Sequence, residues 1–213
     1  MALLKFDEIH KLNETFFSEM NLRKEQILER IELADLLTDV FLYLFTYIEG
    51  QIAIDIYEPE YAKELVMRRY KDGLIEYGID LEKYPEIEAY VERITDKLIN
   101  STEVIVEDSD GQDEEKKSKK RQDRAINVAE NETNTVFSIM EYEDAVREGK
   151  TTKCWITKID GHERKTHEAA DLQIKPIDEP FIVGDSYMMF PLDDSLGADP
   201  RELIRCRCSL IYE

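Results

Sequence analysis

Cysteine is scarce in this chain, which has three cysteines in 213 residues, at positions 154, 206 and 208. An odd number of cysteines cannot pair completely within one chain, and the disulfide scaffolds of small secreted domains carry several pairs. The sequence therefore excludes a disulfide-stabilised scaffold and favours a protein of a reducing cytoplasm.

Long apolar runs are also missing. The most apolar stretch, residues 40–48, lies between Asp39 and Glu49. It is about half as long as the roughly 20 residues that a helix needs to cross a bilayer. Residues 1–8 lack the basic region and the following apolar stretch of a secretory signal. We therefore expect no membrane partner and no export.

Basic residues are few relative to acidic ones, with 28 Lys and Arg against 48 Asp and Glu and a net charge of −20. DNA binding depends largely on cationic side chains that neutralise phosphates, so this charge opposes broad wrapping of nucleic acid. Six basic residues nevertheless cluster in one short run. They are Lys116, Lys117, Lys119, Lys120, Arg121 and Arg124.

This basic run follows an acidic block, and residues 107–124 contain no aliphatic or aromatic side chain. The composition is typical of a solvated linker or of an extended polar helix end. The alternative is a phosphate-binding patch, which the acidic neighbours would partly neutralise. We expect any DNA contact to be weak and to involve residues 116–124, and we expect limited proteolysis to begin in this segment.

Apolar residues recur at spacings of three and four in the first hundred residues, as in Ile9, Leu12, Phe16 and Met20. This period predicts amphipathic helices. Further helices are predicted from about 22 to 50, from 59 to 73 or 78, from 85 to 98, and from 125 to 149.

After Gly149 the pattern changes to short candidate strands at 153–159, 173–177, 186–190 and 206–212, the last with a period of two. The fold class predicted is α+β, with a short antiparallel sheet in a mixed module behind a helical region. The predicted division is a helical docking region at 1–105, a charged linker at 106–123 and the mixed module at 124–213.

Several residues of the predicted module follow an ordered pattern: a Trp-x-Thr strand, an Arg-x-x-His turn, an Asp-Glu-Pro-Phe loop and a closing Cys-Arg-Cys strand. Any one of these elements alone would mean little, but five ordered elements, counting the preceding helix, form a specific combination. The residues concerned are Glu132, Thr133, Trp155, Thr157, Asp160, Arg164, His167, Asp178, Pro180, Phe181, Pro191, Cys206, Arg207 and Cys208.

In this pattern the chain resembles the phage minor head protein, or head morphogenesis, family. The resemblance implies a structural role in head assembly near the portal and in DNA packaging or delivery. It also implies portal and capsid proteins as partners, and a place in the virion after assembly in the bacterial host cytoplasm. The chain departs from many relatives where Leu172 follows Asp171, since they carry glycine there.

The runner-up hypothesis is a nuclease or toxin-like effector, because the family's C-terminal module has been compared with barnase-like nucleases. In this reading His167 would transfer a proton and Arg164 would stabilise phosphate, with Glu132 completing the set. The alternative is that His167 and Arg164 hydrogen-bond the loop of Asp178 and Glu179 and fix a turn. We favour the alternative, and we expect no enzyme activity and no cofactor.

A zinc site formed by His167, Cys206 and Cys208 is a second hypothesis, since a Cys-x-Cys pair on a strand places both sulfurs on one face. Structural zinc usually takes four ligands with Cys-x-x-Cys spacing, and Cys154 would have to be the fourth. We therefore expect buried free thiols and no metal. Trp155 and Phe181 are predicted to be core anchors.

The helix through residues 40–48 is apolar on nearly every side, so we expect it to be an interaction surface as well as a core element. The isolated protein is then expected to self-associate. The residues predicted to form this surface are Val40, Phe41, Leu44, Phe45, Tyr47 and Ile48.

Overall fold

The computed structural model describes residues 4–108 and 111–213. The long helices agree with the predicted apolar stripes. They are α1 (Phe6–Ser18), α2 (Lys24–Ala53), α3 (Pro59–Tyr77), α4 (Pro85–Asp108) and α5 (Glu114–Arg147). Proline at the first turns of α3 and α4 suits a position where the missing N–H costs no hydrogen bond.

Short strands and helices follow α5, which confirms the α+β class. They are β1 (Thr152–Ile156), α6 (Lys165–Ala170), β2 (Ile174–Pro176), β3 (Phe181–Val183), β4 (Ser186–Met188), α7 (Pro200–Leu203) and β5 (Ser209–Tyr212). An antiparallel sheet has the order β2-β1-β5, and β3 and β4 form a separate antiparallel hairpin. The sequence pattern did not predict β3, α6 or α7.

The chain divides into two compact units, whose boundaries differ from those predicted. The helical unit contains Met1–Lys11 and Glu32–Ala129, and the mixed unit contains Leu12–Ile31 and Glu130–Glu213. Residues 12–31 therefore belong with the C-terminal half, where Arg30 donates a hydrogen bond to Asn134 and Glu19 accepts one from Arg207. The division at 1–105, 106–123 and 124–213 followed composition alone.

The basic part of the predicted linker is helical, since α5 begins at Glu114. The Asp113 carboxylate accepts a hydrogen bond of 2.9 Å from the Lys116 backbone N–H, and Glu114 and Glu115 lie in the first turn. Both features stabilise a helix N-terminus, and Lys and Glu are good helix formers. The interpretation as a polar helix end therefore fits residues 114–124. Ser109 and Asp110 lie outside the described residues.

Two cations of this run are engaged within the helical unit. The guanidinium of Arg121 lies 2.5 Å from the Glu49 carboxylate. Arg124 lies 3.7 Å above the ring of Phe45 and donates a hydrogen bond of 2.8 Å to the Thr102 hydroxyl. These arginines contribute to packing, whereas Lys119 and Lys120 are exposed. The weak DNA contact stays a prediction.

The predicted interaction surface on α2 requires a correction, because most of it is core. Phe41, Leu44, Phe45 and Ile48 are buried, with at most 2% of each residue exposed. Val40 and Tyr47 are half-buried, and the largest exposed side chain of this stretch is Tyr43, at 48% exposure.

Helix α3 supplies the cover that the sequence did not reveal. The Tyr70 ring, itself buried, lies 5.2 Å from the Phe41 ring in an edge-on arrangement. A Cβ at Gly73 would lie 3.2 Å from the methyl groups of Leu36 and Val40, so glycine permits the close approach of α3 to α2. Despite its apolar character, α2 does not qualify as a membrane span, and neither does any other helix of residues 4–108 and 111–213.

We predict that Phe41→Ala lowers the free energy of unfolding by about 3–5 kcal/mol, because the substitution leaves a cavity beside Tyr70 and Phe45. Tyr43→Ala, on the same helix but exposed, is the matched control and should cost about 0.5 kcal/mol. Urea unfolding followed by circular dichroism measures both values. Equal costs for the two variants would contradict the assignment of Phe41 to the core.

Candidate functional site

The site is built on the core of the mixed unit, which is centred on Trp155. This side chain is fully buried in β1, the middle strand of the sheet. Its ring lies 5.2 Å from Phe181 and 6.1 Å from His167, edge-on to both. Trp155 and Phe181 are therefore core residues of this unit, and Trp155 lies against the candidate histidine.

Thr157, two residues after Trp155, connects β1 to α6. Its hydroxyl accepts a hydrogen bond of 3.2 Å from the Trp155 indole N–H and donates one of 2.8 Å to the His167 carbonyl. Its backbone N–H donates to the Asp171 carboxylate at 2.7 Å. The Trp-x-Thr motif thus positions the helix that carries His167.

His167 meets both cysteines of the Cys-Arg-Cys motif. Its Nδ1 lies 3.2 Å from the Sγ of Cys208 and 3.6 Å from the Sγ of Cys206. One ligand atom from each of the three residues lies within 4.8 Å of the others. All three residues are at most 2% exposed. The predicted placement of the two sulfurs on one side is therefore what the structure has, although β5 begins only at Ser209.

The other ring nitrogen of His167 is held by a residue that the sequence analysis missed. Its Nε2 lies 3.0 Å from a carboxylate oxygen of Glu202, and the same oxygen accepts a hydrogen bond of 2.7 Å from the Thr166 hydroxyl. Gly184, with a φ of +60°, allows the β3-β4 turn to approach: a Cβ there would lie 3.0 Å from Thr166. A single glutamate 35 residues from the histidine gives no pattern in the sequence.

Two asparagines of α5 fix the backbone that leads into the cysteines. The Asn134 amide donates a hydrogen bond of 3.2 Å to the Cys206 carbonyl, and the Asn131 side chain accepts one of 3.1 Å from the Arg205 N–H. The buried Arg30 donates to Asn134 at 3.2 Å and pairs with Glu141 at 2.9 Å. Both asparagines lie in the motif helix, but the sequence indicated no role for them.

The central arginine of the Cys-Arg-Cys motif, Arg207, binds the loop that follows β1. Arg207 donates two hydrogen bonds to the Asp160 carboxylate, at 2.7 and 3.0 Å, and a third to Glu19 at 3.0 Å. The bidentate hydrogen bonds from Arg207 lower the pKa of Asp160 to about 2. Asp160 and Arg207, both singled out by sequence, therefore form one ion pair.

Arg164 contacts a different partner from the one expected. Its guanidinium donates to the carbonyl of Ile204. Its expected partner was the loop of Asp178 and Glu179, both of which are exposed. Since His167 also bonds Glu202 and the cysteines, the turn interpretation was wrong about the partners: both side chains bind residues 202–208.

The remaining motif residues lie elsewhere in the unit. Glu132 and Thr133 are buried in α5, so their role is in the interior of the unit. Pro180 precedes β3 and is half-buried, and Pro191 is buried after β4. In the nuclease hypothesis, Glu132 provides the carboxylate that acts with His167 and Arg164. In the structure, the carboxylate that contacts the His167 ring is that of Glu202.

A cavity of 310 Å³ opens beside the cluster. His167 and Cys208 are among its lining residues, together with the cationic side chains of Lys158, Arg164 and Arg205. The exposed His162 also lines it. Because the carboxylates of Glu19 and Glu163 also line it, the cavity offers a polar approach of mixed charge to the Cys208 side of the cluster.

The two thiols differ in acidity because they are hydrogen-bonded to each other. A hydrogen bond from Cys206 is the main cause that lowers the pKa of Cys208, and bonding to His167 lowers it further. The same hydrogen bond, together with burial, raises the pKa of Cys206 well above its usual value. Of the two cysteines, Cys208 is therefore the one that more readily loses its proton. The deprotonated thiolate is the reactive form of a cysteine side chain.

The comparisons with known proteins add no relative. No family model, no curated protein and no solved structure matches this chain.

The buried carboxylate of Glu130 has a raised pKa, which makes the stability of this unit depend on pH. Its carboxylate is buried and lies 2.9 Å from the guanidinium of Arg205, a lining residue of the cavity. Burial raises its pKa to about 7, although the charge of Arg205 opposes the shift. Since this folded value exceeds the ordinary value of 4.5, the folded protein binds the proton more tightly than the unfolded chain does.

We predict that the contribution of Glu130 to the free energy of unfolding falls as the pH rises from about 4.5 to 7, and that Glu130→Gln removes this contribution. The stability of the variant relative to the natural protein should increase by roughly 3 kcal/mol over that range, since each pKa unit corresponds to about 1.4 kcal/mol. Urea unfolding at several pH values measures the difference. Glu179→Gln, at an exposed carboxylate, is the control, and parallel profiles for all three proteins would contradict the shift.

Proposed function

We propose that the chain is a phage minor head protein that acts in head assembly by protein–protein docking. The observation that carries the proposal is the convergence of the motif residues. Trp155, Thr157, His167, Cys206 and Cys208 are separated by up to 53 positions, yet they form one connected buried cluster. A chance series of short matches would not be expected to describe one three-dimensional feature, so this supports the resemblance.

The contacts of His167 within the cluster support a structural role rather than a catalytic one. A general base must reach the proton that it abstracts, directly or through one water. Both ring nitrogens of His167 are directed at protein groups, Nδ1 at the two sulfurs and Nε2 at Glu202. These contacts leave His167 suited to holding the 202–208 segment in place.

Three tyrosines at the surface, of which Tyr43 and Tyr61 are exposed and Tyr47 is half-buried, give the docking hypothesis a revised surface. Tyr43 and Tyr47 of α2 stack at 6.4 Å, and Tyr61 of α3 lies 6.4 Å from Tyr47. Ile54 and Ile56, between the helices, are 65% and 54% exposed. Aromatic side chains are enriched at protein interfaces, so we place the contact with portal or capsid proteins on this tyrosine surface.

The experiment is done in the phage that encodes the chain, and it compares how much of each surface variant is incorporated into the phage particles. Mass spectrometry of purified particles should detect the natural protein, and Tyr43→Ser with Tyr47→Ser should reduce its amount at least about tenfold, the effect of losing roughly 1.4 kcal/mol of binding. Ile182→Ser with Tyr187→Ser, an exposed pair on the β3-β4 hairpin, is the matched control and should be incorporated normally.

Two results would oppose this proposal. Absence of the natural protein from particles would reject the virion role. Normal incorporation of the Tyr43 and Tyr47 variant would reject the tyrosine surface while leaving the virion role in place.

The second candidate function, cleavage of RNA, is favoured by the cavity, where His162 lies among Lys158, Arg164 and Arg205. Against it, Arg205 pairs with Glu130 and Arg164 with a backbone carbonyl. We predict that purified protein cleaves single-stranded RNA no faster than buffer does. Cleavage that is lost in a folded His162→Ala or His167→Ala variant would establish the nuclease in place of the docking role.

A further inference from the structure

We propose that His167, Cys206 and Cys208 bind one Zn²⁺ ion, an inference that is independent of the virion role. Thiolate and imidazole are the ligands that zinc prefers in proteins, whereas Mg²⁺ and Ca²⁺ prefer oxygen. Within residues 4–108 and 111–213, this is the group of side chains whose ligand atoms lie close enough together to hold an ion.

The distances match the size of the ion. Zinc bonds of about 2.3 Å to sulfur and about 2.0 Å to nitrogen, at tetrahedral angles, place the sulfur and nitrogen atoms about 3.5 Å apart. The Nδ1 of His167 lies 3.2 and 3.6 Å from the two sulfurs. Only small side-chain adjustments are therefore needed to coordinate the ion.

The surroundings of His167 resemble those of metal-binding histidines. Such histidines donate the second ring N–H to a carboxylate or carbonyl, which fixes the tautomer and the ring orientation. Here Nε2 faces the Glu202 carboxylate at 3.0 Å, and Thr166 holds that carboxylate at 2.7 Å. A proton on Nε2 leaves the lone pair of Nδ1 directed at Cys206 and Cys208.

The fourth coordination position would be open to the cavity. Cys154, the remaining cysteine, is half-exposed on β1 and is directed at the Trp155 carbonyl, 3.9 Å away. His167 and Cys208 line the 310 Å³ cavity, so water or a small ligand can complete the shell from that side. Three protein ligands and one exchangeable ligand distinguish this site from closed structural sites with four protein ligands.

The Cys-x-x-Cys rule led the sequence analysis to expect free thiols. That rule describes loops in which neighbouring cysteines turn toward one ion. In this chain Cys206 and Cys208 lie one residue apart in the segment just before β5, and both sulfurs lie beside the third ligand, His167 of α6.

The first experiment measures zinc in the full chain, produced in zinc-supplemented medium and purified without chelator. Elemental analysis should give about one zinc per chain. Cys206→Ser and Cys208→Ser should lower zinc to background, and Cys154→Ser, the matched control, should keep it. Zinc at background in the natural protein, or equal loss in the Cys154 variant, would overturn the proposal.

The second experiment remains decisive if the serine variants do not fold. Chelator-treated natural protein is titrated with Co²⁺, which should produce thiolate-to-cobalt absorption and the intense visible bands of tetrahedral coordination. Saturation is expected at about one ion per chain. A cobalt spectrum without thiolate absorption would reject the site.

Glu202→Gln tests the orienting contact in the same titration. Loss of a carboxylate behind a metal-binding histidine typically lowers affinity by about 10- to 100-fold, and we expect this range for zinc competing with cobalt. Glu168→Gln, at an exposed carboxylate of α6, should bind as the natural protein does. Unchanged affinity in the Glu202 variant would show that His167 is not oriented as a ligand.

Discussion

The hydrogen bonding of one short segment, residues 202–208, is the constraint on which the mixed unit depends. Glu202 binds α6, the Cys206 carbonyl accepts from Asn134 of α5, Arg207 binds the loop after β1, and Cys208 meets His167. Most of this segment is neither helix nor strand, so its polar groups need partners from other elements. These contacts bring the motif residues together ahead of β5.

Internal use of arginine shapes the electrostatics of the protein. Arg124 packs over Phe45 in the helical unit, while Arg30 and Arg207 are engaged by carboxylates in the mixed unit. Burial also lowers the pKa of Arg124 to about 10. These three arginines are committed to internal contacts, and the net charge of −20 opposes broad contact with nucleic acid.

Helix α2 illustrates how one element serves two environments. Phe41 and Phe45 lie in the interior, where Tyr70 and Arg124 contact them, whereas Tyr43 is exposed on the same helix. An aromatic side chain with a hydroxyl tolerates water better than phenylalanine does, and it still presents a large apolar area to a partner. The tyrosines are therefore the side chains suited to a surface that alternates between water and protein.

The sequence by itself determined the helices α1 to α4, the part of α5 that follows Ala125 and the α+β class, because the period of an apolar stripe is a local property of the chain. It could not determine which element covers an apolar face, so Phe41 was expected at a surface that α3 in fact covers. The glutamate that orients His167, the partner of Arg164 and the membership of residues 12–31 in the mixed unit also depended on the tertiary structure. Such pairings join residues far apart in the chain, and they follow from the path of the backbone rather than from any local pattern of residues.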